Sequence, residues 1–318
     1  MRRIGYFLAL ALALVARVSL AGCGCEFCPV DQGSQWHEAK FTFDLTQQYI
    51  DQDQPRVGTE DAAVGAISSE HDEVRTINRA TTASLGFRPA EAWALSAALP
   101  YVSRTHEHIH NDPGGPEPQH WSYSGFGDLE ILATHYIVPQ GGSTRYFVRL
   151  GGKAPTGKTH VQEVDGDQPE PASRPGTGSW DLLAGLGAEW RVGAPGGERA
   201  LPVRLSLTGR LNGTGTDDYR VGSEFQAHLG TEYAVAGPVA ALLQTNLRVR
   251  GKDDVGTTDE EAGHTGGTSW YLSPGVRVAV APQTSIYGLY QLPLYQRVNG
   301  IQLTAKANLY VGISRGIL

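Results

Sequence analysis

Apolar and polar residues alternate with a period of two along most of the chain from residue 38 to its end. In segment 303–313 the odd positions are leucine, alanine, valine or isoleucine, whereas the even positions include threonine, lysine and asparagine. Segments 180–192, 203–212 and 225–235 repeat this alternation. Because successive side chains of a strand point to opposite faces, the pattern predicts strands with one apolar and one polar face.

The alternation predicts twelve strands. A strand tilted near 45° crosses the hydrocarbon core of a bilayer in about 9–11 residues, and most of the predicted strands reach that length. An even number also lets both ends of a barrel wall lie on the same side of a membrane. The predicted strands are 38–50, 74–87, 92–102, 122–138, 143–151, 179–192, 202–211, 222–236, 240–250, 268–281, 284–293 and 302–315.

Short and long connections alternate between these segments. The short ones are 88–91, 139–143, 193–199, 237–238 and 282–283, and the long polar ones are 50–73, 103–121, 152–178, 212–221, 251–267 and 294–300. Outer-membrane barrels have short periplasmic turns and longer external loops. The sequence therefore predicts an all-β protein, a single antiparallel transmembrane β-barrel in the outer membrane of a Gram-negative bacterium.

The N-terminus predicts an exported protein. Met1, Arg2 and Arg3 form a positive region, and the apolar run from Ile4 to Val15 matches a signal peptide. We therefore expect a cleaved signal peptide at 1–22, a periplasmic cysteine-containing segment at 23–37 and the barrel at 38–318. The mean hydropathy of −0.27 agrees with this, because a barrel carries its apolar surface on every second residue only.

Three cysteines lie directly after the expected cleavage site. The run from Leu20 to Cys23 resembles the lipobox of bacterial lipoproteins, which implies a diacylglyceryl group on Cys23, although Ser19 to Ala21 would equally suit an ordinary signal peptidase. Cys25 and Cys28 would then form a disulfide in an oxidising compartment. Alternatively, all three thiolates could hold Cu(I) or zinc.

Charged residues alternate into the polar faces of the predicted strands. A dry core would not tolerate so many charges, whereas a water-filled lumen would. Two interpretations remain open: a slightly cationic passage for small anionic or aromatic solutes, or a ladder of ion pairs that closes the barrel. The predicted lumen-lining residues are Arg145, Arg149, Arg191, Arg204, Arg210, Glu232, Arg248, Arg277 and Lys306, with Asp44, Asp128, Glu130, Asp181 and Glu189 among the accompanying acids.

The predicted loop 103–121 contains His106, His108 and His110. In an extended chain, residues two apart lie on one face about 6.5–7 Å apart, so these imidazoles could share a Zn, Cu or Ni ion. Apart from this candidate zinc or copper site we expect no cofactor. The acidic segments 51–73 and 252–266 are expected to be solvated or to meet divalent cations that bridge surface lipids.

Several short motifs occur in a fixed order along the chain: Leu99-Pro100-Tyr101, Ser124-Gly125-Phe126-Gly127-Asp128-Leu129, Ala154-Pro155-Thr156-Gly157-Lys158, Pro175-Gly176-Thr177-Gly178, Ser273-Pro274-Gly275-Val276 and Leu292-Pro293-Leu294-Tyr295. Together they resemble those of the outer-membrane proteins named for the meta-pathway of phenol degradation. The resemblance spans residues 75–318 and implies an outer-membrane barrel that passes aromatic or other hydrophobic compounds, without catalytic residues. Many such barrels end in an aromatic residue that the barrel-assembly machinery recognises, whereas this chain ends in Leu318.

The sequence favours a channel over an enzyme. It contains neither a G-x-S-x-G nor an H-E-x-x-H motif, and it lacks basic patches with interleaved aromatics that would indicate nucleic-acid binding. We therefore expect a channel or transport protein for small solutes, with outer-membrane lipid and the barrel-assembly machinery as partners. A structural or metal-binding surface barrel is the alternative, and an outer-membrane hydrolase is the third candidate.

Overall fold

The structure is a computed structural model that describes residues 22–23, 39–67, 71–112, 115–139, 144–162, 169, 171–193, 201–255 and 261–317. Twelve strands, one of them in two parts, form the wall of a barrel. They are β1 (Phe41–Val57), β2 (His71–Ala90), β3 (Trp93–Asp112), β4a (Gly115–Phe126), β4b (Leu129–Ile137), β5 (Arg145–Ala154), β6 (Asp181–Val192), β7 (Leu201–Asn212), β8 (Glu224–Ala236), β9 (Val239–Arg250), β10 (Gly266–Ala281), β11 (Thr284–Val298) and β12 (Ile301–Ile317).

The barrel is closed. Each strand pairs antiparallel with its neighbours, and β12 returns to β1 with a register that runs from Ile301 opposite Val57 to Ile317 opposite Phe41. The prediction of one antiparallel barrel of twelve strands is confirmed. Short segments accompany the wall, namely the strands Gly22–Cys23 and Glu60–Asp61 and the 3₁₀ turns Pro171–Ser173, Thr216–Asp218 and Glu261–His264. Among the described residues, no helix has the length and hydropathy needed to cross a membrane.

The wall is apolar outside and polar inside, the reverse of a soluble protein. In β12, Leu309 and Val311 are 43% and 45% exposed on the outer face, whereas Asn308 is 2% exposed on the inner face. The same alternation of exposed apolar and buried polar residues follows the other strands. Because lipid surrounds apolar side chains at no cost, this arrangement is that of a transmembrane barrel.

Several strands continue beyond their predicted ends at the side with the long connections. β1 runs to Val57, and β3 and β4a form a hairpin that reaches Asp112 and Gly115. Much of the predicted loops 50–73 and 103–121 is therefore paired strand. Outside the membrane both faces of a strand are polar, so the period-two signal disappears although the backbone ladder continues.

The fourth strand is interrupted where the sequence predicts one continuous segment, 122–138. β3 pairs with β4a near its C-terminal end and with β4b near its N-terminal end, while Gly127 and Asp128 leave the ladder between them. In the described part of the chain, β4a has β3 as its one partner strand. Along its other edge Phe126 O accepts from the Lys158 amide, but no second strand pairs there among the described residues, so the edge is open near Pro116 and Pro118.

Glycines on the inner face make room for large side chains on neighbouring strands. Phe147 lies opposite Gly187, and Tyr287 lies opposite Gly312. A Cβ atom on Gly187 would lie 2.2 Å from the Phe147 ring, and one on Gly312 would lie 2.3 Å from the Tyr287 ring. Covering a strand glycine with an aromatic ring stabilises the pair and fixes the register.

Candidate functional site in the barrel interior

The structure locates the residues predicted to line the lumen. Eight of them occupy inward-facing positions of their strands, with Arg191 exposed at the barrel end: Arg145, Arg149, Arg191, Arg204, Arg210, Glu232, Arg248 and Arg277. Lys306 differs, because the pairing of β12 with β1 is irregular between Ala305 and Asn308. Its side chain is 65% exposed, and its Nζ lies 2.9 Å from Asp53 Oδ2 on the outer surface.

An arginine cluster surrounds one buried aromatic ring on the inner wall of β5 to β7. Phe147 is 1% exposed, and the guanidinium carbons of Arg149 and Arg204 lie 4.6 Å and 4.5 Å from its ring centroid. Glu189 accepts hydrogen bonds from Arg145, whose Nε lies 2.9 Å away, and from Arg204. Two guanidinium groups therefore share one carboxylate, with a third beside the same ring.

Further ion pairs follow the same side of the barrel. Arg248 Nε donates to Glu224 Oε2 at 2.7 Å between adjacent strands. Two other pairs join strands that are not adjacent: Arg277 pairs with Glu232, and Arg210 pairs with Glu130. Since β4b and β7 are separated by two strands, the last pair reaches across the curvature of the wall.

The opposite side of the interior consists largely of neutral hydrogen-bonding groups. Asn78 Nδ2 donates to Gln52 Oε1 at 2.8 Å, and Asn308 Nδ2 donates to Gln291 Oε1 at 2.6 Å. The hydroxyl of Tyr287 donates to the buried Asp44 carboxylate at 3.0 Å. Guanidinium–carboxylate pairs thus concentrate on one wall, whereas the other has mainly amides and hydroxyls, with the Arg104 guanidinium and the Asp44 carboxylate among them.

A second buried cluster lies where β4a gives way to β4b. We call it the Asp128 cluster and define it as Asp128, Lys153, Gly157, Thr177 and Asp181. Asp128 accepts from Lys153 Nζ at 2.7 Å, from the Gly157 amide at 2.9 Å and from the Thr177 amide at 3.1 Å. Lys153 also lies 3.0 Å from Asp181. One carboxylate therefore holds both ends of the connection between β5 and β6.

Three glycine backbones meet beside this cluster. A Cβ atom on Gly157 would lie 2.7 Å from the carbonyl carbon of Gly127 and 2.7 Å from the Cα of Gly176. The Gly127 amide in turn donates to Pro100 O at 2.8 Å. Four sequence motifs that lie far apart along the chain thus meet at one place. This contact was not predicted from the sequence, although the repeated glycines in these motifs were a signal for it.

The histidine row, His106, His108 and His110, lies in β3 rather than in a loop. His106 is buried, its Nδ1 lies 2.7 Å from Thr76 Oγ1, and its Nε2 lies 3.2 Å from Glu73 Oε2. Its ring centroid lies 5.2 Å from that of His108. Over the described ranges, no three His, Cys, Asp or Glu side chains form a group that could hold a metal ion. Zinc or copper binding stays a prediction.

The cysteine predictions also stay open. Cys23 belongs to the short strand Gly22–Cys23, which pairs in parallel with Gly266 at the barrel end of the long connections. Cys25 and Cys28 lie outside the described residues, as do residues 1–21 of the expected signal peptide.

No family model matches the chain, and no curated protein matches it. Among solved structures, it resembles the COG4313 outer membrane channel from Pseudomonas putida F1, with 14% identity over 91% of this chain and 100% of that chain and a TM-score of 0.63. The chain has the fold of an outer-membrane channel. Two further solved structures are more distant and add nothing to this. One is a Pseudomonas aeruginosa FadL homologue, with 13% identity over 87% of this chain and 90% of that chain and a TM-score of 0.43. The other is a TodX monoaromatic hydrocarbon channel mutant, with 9% identity over 88% of this chain and 91% of that chain and a TM-score of 0.45.

Proposed function

We propose that this protein is a passive outer-membrane channel for small solutes that favours anions. The observation that carries the proposal is the reversed wall: a closed barrel with apolar residues outside and a polar interior. Outer-membrane barrels with a polar interior conduct water and solutes between the two compartments. The likeness to a solved outer-membrane channel supports the same conclusion at the level of the fold.

The arginine cluster supports the preference for anions. Arg145 and Arg204 share Glu189, and Arg149 lies beside them against Phe147. Rings and rows of arginine select anions in pores because they lower the energy of a passing negative charge. Guanidinium faces also stack on aromatic rings, so an aromatic carboxylate would make both kinds of contact.

Planar-bilayer recording in a salt gradient tests the proposal. We expect stepwise conductance and a reversal potential whose sign indicates that anions are more permeant than cations. In Arg149→Gln this potential should shift toward zero. Arg315→Gln is the matched control, because Arg315 is exposed on the outer face at the opposite end of the wall from the long connections. A cation-selective wild type would contradict the preference, and a closed trace from protein that still shows a heat-dependent gel shift would contradict the channel.

A structural barrel is the second candidate, because the ion pairs among Arg145, Arg204, Glu189, Arg210 and Glu130 would stiffen a closed wall as well. We infer no enzymatic activity for either candidate, and hydrolysis of lipid or ester substrates above background would count against both. Insertion by the barrel-assembly machinery belongs to the same proposal, and depletion of that machinery should leave the chain unfolded.

A further inference from the structure

The outer surface carries a group of charges where β1 and β2 leave the apolar band. The outward residues Phe41, Phe43 and Leu45 of β1 are exposed and apolar. Tyr49 follows on the same face, eight residues beyond Phe41. With about 3.3 Å per residue and a tilt near 40°, this separation is roughly 20 Å along the membrane normal, close to the ~25 Å height of the apolar band of such barrels. Tyr49 therefore lies at the membrane boundary.

Arg79 lies beside Tyr49 at this boundary. The two residues are register partners, and the Arg79 guanidinium carbon lies 5.4 Å from the centroid of the Tyr49 ring. The side chain of Arg79 is exposed. On the neighbouring strand β3, the register partner of Arg79 is Ser103, and Ser103 in turn lies opposite Ser124 of β4a. An aromatic ring and hydroxyl groups thus surround one cation on the lipid-facing side.

The neighbouring cations have carboxylate partners. Arg75 donates to Asp51 through Nε at 2.9 Å and Nη2 at 2.7 Å, and Lys306 pairs with Asp53. Arg79 contacts the Tyr49 ring and, within the part of the chain that the structure describes, no carboxylate. A charged side chain at a lipid-facing position is stable near the interface when it finds a counter-charge there.

We propose that Arg79 binds the phosphate of a glycolipid headgroup in the outer leaflet. The planar guanidinium matches phosphate oxygens with two parallel hydrogen bonds, and the hydroxyls of Ser103 and Ser124 suit the sugar that carries the phosphate. Arg75 and Lys306 keep their own carboxylate partners, Asp51 and Asp53, so their charges are already balanced. The site rests on insertion of the barrel with its long connections outside, and it is independent of solute passage through the interior.

Native mass spectrometry of the detergent-solubilised full chain, titrated with diphosphorylated lipid A, tests the site. We expect Arg79→Gln to bind about five-fold more weakly than the wild type, because one arginine near a charged lipid surface contributes about that factor. Arg315→Gln is the control and should bind as the wild type does. Arg79→Lys should recover part of the affinity.

Fully dephosphorylated lipid A is the second ligand. The wild type should bind it about five-fold more weakly, whereas Arg79→Gln should bind the two lipids equally well. Undiminished preference for the phosphorylated lipid in Arg79→Gln overturns the proposal, as does a wild type that does not distinguish the two lipids. Conductance of Arg79→Gln should equal that of the wild type. A wild type that prefers the phosphorylated lipid but does not conduct would count against the channel and not against this site.

Discussion

Replacing Asp128 by alanine is expected to release the connection between β5 and β6 from the barrel wall. Asp128 is 6% exposed and accepts hydrogen bonds from the Gly157 amide, the Thr177 amide and Lys153. Without its carboxylate, two amides lose their acceptor, and Lys153 keeps Asp181 at 3.0 Å. An unsatisfied buried donor costs about 1–3 kcal/mol, so the two amides together account for about 2–6 kcal/mol. Lys153 adds little, because Asp181 still compensates its charge. We expect a loss of about 3–5 kcal/mol in the free energy of unfolding.

Two assays measure this loss. Urea unfolding in lipid vesicles gives the global free energy, and limited trypsin digestion reports on local opening, since Lys158 and Arg174 lie in the released connection. If the connection opens before the barrel does, a loss of about 3 kcal/mol raises cleavage about 100-fold. Asp128→Asn, which keeps one acceptor oxygen, should give an intermediate result.

The exposed pair of Arg220 and Asp254 provides the control. Their side chains are 52% and 55% exposed and 2.6 Å apart, so Asp254→Ala should cost at most about 1 kcal/mol. Equal stability and equal trypsin resistance in Asp128→Ala and Asp254→Ala would refute the reasoning, because they would show that the Asp128 cluster does not hold the connection.

Three further predictions concern close packing and metal binding. Gly312→Ala should cost about 1–3 kcal/mol through collision with the Tyr287 ring, and a double-mutant cycle with Tyr287→Ala should remove that cost; an unchanged cost would contradict the contact. Gly157→Ala should prevent assembly, because its Cβ meets backbone, whereas Gly263→Ala, with open space around it, should assemble normally by heat-dependent gel shift. Calorimetric titration should show tighter zinc or copper binding by the wild type than by the triple alanine variant of the histidine row, and equal affinities would exclude the site.

The strands could be predicted where lipid lies on one side of the wall and the polar interior on the other. In β12 that contrast runs from Leu309 to Ile313, and the alternation is unambiguous. It disappears in the hairpin of β3 and β4a, where the residues around His110 and Glu117 are polar on both faces. Backbone pairing there depends on the partner strand, so composition alone predicts a loop.

The sequence predicts that charged side chains point into the barrel, but it does not predict which of them contact each other. Inward charges follow from the period of two, and so Arg145, Arg204 and Glu189 could be placed on one face before their contacts were known. The meeting of Asp128 with Thr177 could not, because it depends on how a long connection returns to the wall. Bonds between residues 49 positions apart leave no periodic signal in a single sequence.

The open edge of β4a carries a consequence for how neighbouring copies coexist in a crowded membrane. Proline is tolerated in an edge strand where its missing N–H would point away from the ladder, and Pro116 and Pro118 both lie in this edge strand, opposite Asn111 and Ile109. A strand from an adjacent molecule would find two donors absent along that rim. Copies can therefore be in contact at high density without pairing their sheets edge to edge.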